Sequence, residues 1–280
     1  MKPNDDFLHL SDQFWATVKF LGQQIGYTDR KSKEIKIPSP DEIQKELKKL
    51  NLFLDKNAFQ LLHPYFEYRA IALATITREK LMTGEKAKTL FEDSLRRLNP
   101  TCPIPKNKQS GEKKVPAYFT GLINMVIEAN LEGISCDYDP RHLPFFTQNN
   151  KPIRTMSRRV DGAFPAIINP IAIWEIKEYY YTTTFGSRIA DAVYETTLDG
   201  MELERLRESN GIAVKHYLMV DAYDTWWEMG KSYLCRIIDI LHMGYADEIL
   251  FGYEVIDRLP ELVREWAKIY QDHLSQDHLR

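Results

Sequence analysis

Ile171-Ala172-Ile173-Trp174-Glu175-Ile176-Lys177-Glu178 begins as an unbroken apolar run and then alternates charged with apolar residues. Successive side chains of a strand point to opposite faces, so Glu175 and Lys177 share one side and Trp174 and Ile176 the other. Two charges on a strand with so apolar an approach need a reason. Glu-x-Lys alone is a common tripeptide and equally describes a wet sheet edge where the pair is self-neutralising. Asp161 shifts that balance. It stands in Arg158-Arg159-Val160-Asp161-Gly162-Ala163-Phe164-Pro165, after an extended run over 155–160 and before Gly162, which permits a sharp turn. Residues 162–170 are rich in glycine, proline and asparagine. A connection of that kind lets 155–160 and 171–178 pair as antiparallel strands, with Asp161 ending beside Glu175.

That placement suits a divalent cation. The carboxylates of Asp161 and Glu175 and the backbone carbonyl of Ile176 are hard oxygen ligands of the kind Mg²⁺ takes, with water and phosphate completing an octahedron. A bound metal polarises a phosphate and acidifies an attacking water. Lys177 can position that water and offset charge developing in the transition state.

Around this stretch, periodicity divides the chain. Residues 1–100 read as helical: Phe7, Leu10, Phe14, Val18, Leu21 and Ile25 recur at helical spacing. Ser39-Pro40-Asp41-Glu42 has the form of a helix start, with Glu42 three residues after the Ser39 cap. Further helices are expected over 57–81 and 86–98. Residues 101–115, with Pro103, Pro105, Gly111 and several lysines, form the candidate basic linker or loop. From 116 to 280 the expected order is helix (117–131), strands (155–160 and 171–178), helix (186–206), strand (214–220), helix (223–241), strand (248–253) and helix (259–273). The fold class is α/β (α+β): a mixed central sheet flanked by helices, preceded by an N-terminal helical region that supplies DNA contacts or dimerisation.

The stretch around Asp161 and Glu175-Ile176-Lys177 resembles the PD-(D/E)xK nuclease superfamily, most closely its type II restriction endonucleases. Gly162 after the aspartate is usual in that superfamily; Val160, in place of proline, is a frequent departure. The resemblance covers about 117–220 and has no bearing on 1–100. It implies a restriction-endonuclease-like core with a four-stranded mixed sheet, Mg²⁺ dependence and DNA cleavage. It also implies an additional acid on the preceding helix. Glu128 fits that place, with Glu132 one turn on as substitute, although an exposed acid on a polar stripe fits Glu128 as well. On the helix after the motif, Arg188, Asp191 and Glu195 share a face. That face can present Arg188 to DNA and Glu195 to the metal, or be a solvated salt-bridge face. Glu178 points away from Glu175 and falls outside the metal site. The threonines at 182–184 and the following helix start can take a phosphate.

The net charge of −3 neither favours nor excludes nucleic acid, because local patches govern DNA affinity. Lys106, Lys108, Lys113 and Lys114 form one patch, and Arg158 and Arg159 adjoin Asp161. These and Arg188 are the candidate DNA-binding residues. The aromatic residues Tyr179, Tyr180, Tyr181, Trp226 and Trp227 read more readily as core than as base-stacking groups. The three cysteines, Cys102, Cys136 and Cys235, form no disulfide framework or paired zinc spacing, and Cys136 with His142 makes a poor zinc site. No apolar run approaches the roughly 20 residues that span a bilayer, and a cytoplasmic location is expected. The expected function is a Mg²⁺-dependent endonuclease acting on double-stranded DNA as a homodimer. A cognate methyltransferase acting on the same site is a possible partner. Alternatives are a repair, recombination or other defence nuclease on structured or single-stranded DNA, and a non-catalytic DNA-binding protein with a degenerate nuclease fold.

Overall fold

A computed structural model describes residues 1–109, 112–180 and 186–277, and excludes the side chains of residues 108, 109, 112–114, 187, 276 and 277. The N-terminal part is helical: α1 (Asp12–Gln24), α2 (Pro40–Lys49), α3 (Lys56–Ala72), a π-helical turn (Leu73–Thr77), the single turn α4 (Arg78–Lys80) and α5 (Gly84–Leu98). The predicted start at Ser39 is a full capping box: Ser39 Oγ accepts the Glu42 N–H, and the Glu42 carboxylate accepts the Ser39 N–H. Phe14, Val18, Leu21, Ile43, Leu62 and Phe66 close a small core among α1, α2 and α3.

These helices are not a detached unit. The fully buried Arg69 of α3 donates to Asp239 at 2.9 and 3.1 Å, and Tyr65 donates to the same carboxylate at 2.6 Å, tying the region to a helix of the C-terminal part. The Ile249 N–H donates to the Met1 carbonyl at 3.0 Å, so the first residue lies along the last strand of the sheet.

Residues 101–115, expected as a linker or loop, instead contain a hairpin: β1 (Lys106–Gln109) pairs antiparallel with β2 (Glu112–Pro116). The alternation Lys106, Lys108 against Asn107, Gln109 is a strand pattern that the prolines and glycine around it obscured. Helix α6 (Tyr118–Asn130) follows, then β3 (Asp137–Tyr138), the hairpin β4 (Phe145–Gln148) and β5 (Lys151–Thr155), β6 (Gly162–Phe164) and β7 (Ala172–Glu178). Next come α7 (Ser187–Asn210), β8 (Lys215–Asp221), a π-helical turn (Asp224–Met229), α8 (Lys231–His242), β9 (Glu248–Phe251), α9 (Glu254–Asp257) and α10 (Leu259–Asp277). The helix expected over 223–241 is therefore broken at Gly230, where a Cβ would meet the Thr225 carbonyl at 2.8 Å.

The central sheet is mixed and, among the described residues, five-stranded rather than four: β3-β6-β7-β8-β9. β3, β6 and β7 are antiparallel, and β7, β8 and β9 are parallel. One face, with Trp174, Tyr217 and Met219, packs on α6 and α10. The other, with Leu218, Val220 and Ile249, packs on α7 and α8. Burial on both faces explains the near-continuous apolar strands.

One expectation fails in an informative way. The run over 155–160 is not the strand that pairs with β7. That strand, Gly162–Phe164, lies after Asp161 and pairs Gly162 with Trp174. Gly162 is thus needed for close approach rather than for a turn: a Cβ there would lie 2.1 Å from the Trp174 indole, which stacks in turn on Trp266 at 5.4 Å.

Candidate active site

β6 is short, and its shortness builds the site. The Asp161 N–H donates to the Trp174 carbonyl at 3.1 Å, and the next β7 amide on that edge, Ile176 N–H, donates to Asp161 Oδ2 at 2.7 Å. A side chain completes the ladder where the partner strand stops. The second carboxylate oxygen of Asp161 makes no hydrogen bond among the described residues.

Glu175 and Lys177 lie on the α7 face of β7, as alternation requires. Both are buried, Glu175 completely. Lys177 Nζ is 3.0 Å from Glu175 Oε2 and also pairs with Glu195 of α7. Arg158 enters from the segment before Asp161. Its Nη1 lies 2.8 Å from Glu175 Oε1, and its Nη2 donates to Glu175 Oε2 at 3.0 Å. Nη1 also reaches Asp199 Oδ2 at 2.6 Å, and Nη2 reaches Glu195 at 3.1 Å. α7 therefore contributes Glu195 and Asp199, one turn apart, from a single face.

Two cations, Arg158 and Lys177, thus face four carboxylates: Asp161, Glu175, Glu195 and Asp199. Burial drives the Asp161 carboxyl up, the charge on Glu175 adds to this, and it reaches about 7 even though the residue opens to solvent. Burial likewise lifts fully enclosed Asp199 to about 7, against the pull of Arg158. For Glu175 burial acts in the same sense but is outweighed by Lys177 and Arg158, which hold the carboxylate below its usual range. Burial opposes the Lys177 charge; Glu175 and Asp161 more than offset it and hold the ammonium well above the ordinary lysine range. When all six groups are ionised the cluster carries two uncompensated negative charges, the complement of one divalent cation.

Among the described residues no group of three or more His, Cys, Asp or Glu side chains is arranged around a single metal position. The candidate ligand set is the narrower one of Asp161, Glu175 and the Ile176 carbonyl. Asp161 has an oxygen without a hydrogen bond among the described residues, whereas both Glu175 oxygens lie at ion-pair distance from Arg158 or Lys177, so a cation at Glu175 would share the carboxylate with one of them.

A cavity of about 520 Å³ opens beside Asp161 and Ile176. Lys106 and Asn107 of the hairpin, Thr120 and Asn124 of α6, and Tyr138 and Arg141 line it. Thr120 and Asn124, rather than Glu128, are the α6 side chains at this cleft. Glu128 instead accepts the Thr101 N–H at 3.0 Å and its hydroxyl, bracing the end of α5 against α6, and Glu132 is exposed. Glu178, on the opposite face from Glu175, accepts the Thr120 N–H and hydroxyl, both at 3.0 Å, and Asn107 at 3.3 Å. It supplies a carboxylate to the first turn of α6, where Ala117 offers no side-chain cap.

Arg159 and Arg188 are exposed and Lys106 faces solvent at the cleft rim. The side chains of Lys108, Lys113 and Lys114, together with Tyr181 and the threonines at 182–184, lie outside the described residues. Arg158, expected to contact DNA, is committed to the carboxylate cluster. Trp226 and Trp227 are core residues, and Tyr179 stacks on Trp226 at 5.8 Å. Asp199 is the site residue that sequence spacing had offered and that went unread: it lies four residues beyond Glu195 on the face already noted.

Residues 82–266 match the domain of unknown function DUF7687. The chain belongs to that family. Residues 1–76 match a second domain of unknown function, DUF7690, so the two matches adjoin in the π-helical turn and α4. Every residue of the carboxylate cluster belongs to the DUF7687 part. No curated protein and no solved structure matches the chain, and no helix among the described residues is long and apolar enough to cross a membrane.

Proposed function

We propose that the chain is a Mg²⁺-dependent endonuclease with a restriction-endonuclease-like core, hydrolysing phosphodiester bonds of double-stranded DNA at a specific sequence as a type II restriction enzyme does. The observation that carries this reading is the pairing of Glu175 and Lys177 on one face of β7 next to the point where the partner strand stops and Asp161 takes over the ladder, with Asp161 also bordering the cleft. Asp161, Glu175 and the Ile176 carbonyl would hold Mg²⁺, which when bound polarises the scissile phosphate and lowers the pKa of water. Lys177, kept charged by Glu175 and Asp161, holds a proton at Nζ and offsets negative charge in the transition state. Arg158 and Glu195 fix the Glu175 and Lys177 side chains before substrate arrives, so their ordering costs nothing at the moment of reaction. Lys106 and Arg141 supply cations at the cleft for a phosphate backbone. Cutting both strands of a symmetric site calls for a homodimer, and a methyltransferase acting on the same sequence is the matching partner.

Plasmid and phage DNA incubated with Mg²⁺ or with EDTA test this. Discrete metal-dependent fragments, lost in Lys177→Ala, are the expected result; smearing or cutting confined to structured DNA would point to a repair or recombination nuclease instead. One observation favours a second reading, a non-catalytic DNA-binding protein. Both Glu175 oxygens already face cations of the chain itself. DNA binding with no cleavage under any metal would select it.

A further inference from the structure

A second cavity, of about 380 Å³, lies on the outer side of α7, away from the carboxylate cluster. Its volume falls within the range of small-molecule sites. Val193, Leu198 and Met201 of α7 form one wall, and Tyr27 and Arg236 form the other. Leu198 and Met201 are 41% and 51% exposed, so the apolar wall is open to solvent.

Arg236 is the unusual member. Its guanidinium carbon lies over the Tyr27 ring at 5.1 Å and over the Tyr233 ring at 5.3 Å, two cation–π contacts that restrain it. Its Nε is buried without a hydrogen bond, and among the described residues no carboxylate pairs with it. A buried donor without an acceptor is costly, and a bound acceptor would relieve it. Asp239 also borders the cavity, but Arg69 and Tyr65 already take its charge. Lys19, exposed at the rim, adds a second cation, without an ion pair among the described residues. The result is an apolar cavity with an arginine in one wall whose buried Nε has no acceptor among the described residues.

We infer that this cavity binds a small organic anion, with an aromatic or branched apolar body lying on Val193, Leu198 and Met201 and one acidic head taken by Arg236 and Lys19. The geometry separates body from head, so neither an inorganic anion nor a neutral hydrophobe satisfies it. The site is independent of the proposed nuclease chemistry. It joins the two family segments: Lys19 and Tyr27 come from the DUF7690 part, and Arg236 and the α7 residues from the DUF7687 part.

The probes are 8-anilinonaphthalene-1-sulfonate and its uncharged relative N-phenyl-1-naphthylamine, titrated into the full chain by fluorescence. The wild type is expected to bind about one equivalent of the sulfonate at least about ten-fold tighter than the neutral probe, a difference equal to about 1.4 kcal/mol. Arg236→Met is expected to erase that preference while keeping the neutral probe. Leu198→Asp, at an exposed position and therefore tolerant of substitution, is expected to lose both probes with an unchanged unfolding temperature. Equal binding of the two probes by the wild type, or an unchanged preference in Arg236→Met, overturns the proposal. So does sulfonate binding that survives Leu198→Asp. A dimer that excludes the probe and dissociates in Leu198→Asp assigns the cavity to a second copy of the chain and overturns it as well.

Discussion

Arg158→Ala separates a carboxylate cluster held by one guanidinium from a set of independent surface charges. Glu175 and Glu195 keep Lys177 when Arg158 is removed, but Asp199 loses its only ion-pair partner among the described residues and is completely buried. The consequence is pH-dependent, and its sign follows from the direction of the shift. Asp199 sits at about 7 in the fold against an ordinary 3.8. Between those values the folded chain keeps a proton that the unfolded chain has released, so stability falls as pH rises through the window and levels off above about 7. Without Arg158 the carboxyl is pushed higher still. Below about pH 7 both proteins hold Asp199 protonated, and the variant loses only its hydrogen bonds, about 1–3 kcal/mol. Above it, the wild type ionises and the variant does not, so the gap widens by about 1.4 kcal/mol per pH unit. At about pH 9 the two contributions add to roughly 4–6 kcal/mol, at or just above the roughly 3–5 kcal/mol typical of breaking a buried ion pair. Urea unfolding in EDTA at about pH 6 and about pH 9 measures both ends. A destabilisation independent of pH, or none at either end, would refute the assignment of Asp199 to the cluster.

Three further outcomes are expected. Gly162→Ala drives a methyl into the Trp174 ring and destabilises the fold by about 1–3 kcal/mol; Trp174→Phe in the same chain recovers part of the loss in thermal unfolding, and a neutral Gly162→Ala would mean the indole does not cover that strand. Asp221, lifted to about 7 mainly by burial, accepts the Met82 and Ala222 N–H groups through one oxygen, so Asp221→Asn keeps both acceptor contacts. Its stability relative to wild type rises from about pH 4 and levels off by about pH 7; a curve parallel to that of the wild type would contradict the shift. In the cleavage assay, Glu195→Gln is expected to lower the rate about 10–100-fold, as loss of a supporting residue does, whereas Glu175→Gln abolishes activity; equal effects would give the two carboxylates the same role.

The motif was legible because its information is local. Alternation alone puts Glu175 and Lys177 on one face of a strand, and the structure keeps them there. The capping box at Ser39 was legible for the same reason, since three residues of spacing contain the whole interaction. The strand beside β7 was misplaced because its identity depends on burial that sequence does not display. Gly162-Ala163-Phe164 has poor strand propensity and forms a strand because Trp174 needs a glycine beneath its ring and Phe164 fills the core. For Glu128 the sequence left two readings open, because the rotation of α6 about its axis is set by packing on β7 and α10; that rotation turns Asn124, one turn earlier, to the cleft and Glu128 to Thr101.

Arg158 shows where such reasoning stops and why. As an exposed-looking basic dipeptide, Arg158-Arg159 reads as one DNA-facing patch, yet the two side chains part completely. Arg159 stays in solvent, while Arg158 turns inward to three carboxylates from two other elements. Nothing within ten residues of Arg158 distinguishes it. Its partners lie 17 to 41 residues away, and they become partners only because β7 and α7 pack face to face. A guanidinium so placed occupies the position from which a cation neutralises the cluster, and it cannot be titrated away at ordinary pH. Any divalent cation that binds Glu175 must therefore share that carboxylate with Arg158 or displace it. Metal affinity and the conformation of one arginine are thereby coupled, and Arg158→Ala should bind Mg²⁺ more tightly in calorimetry even as it unfolds more easily. Weaker binding in the variant would mean that Arg158 holds the ligands in place rather than competing for them.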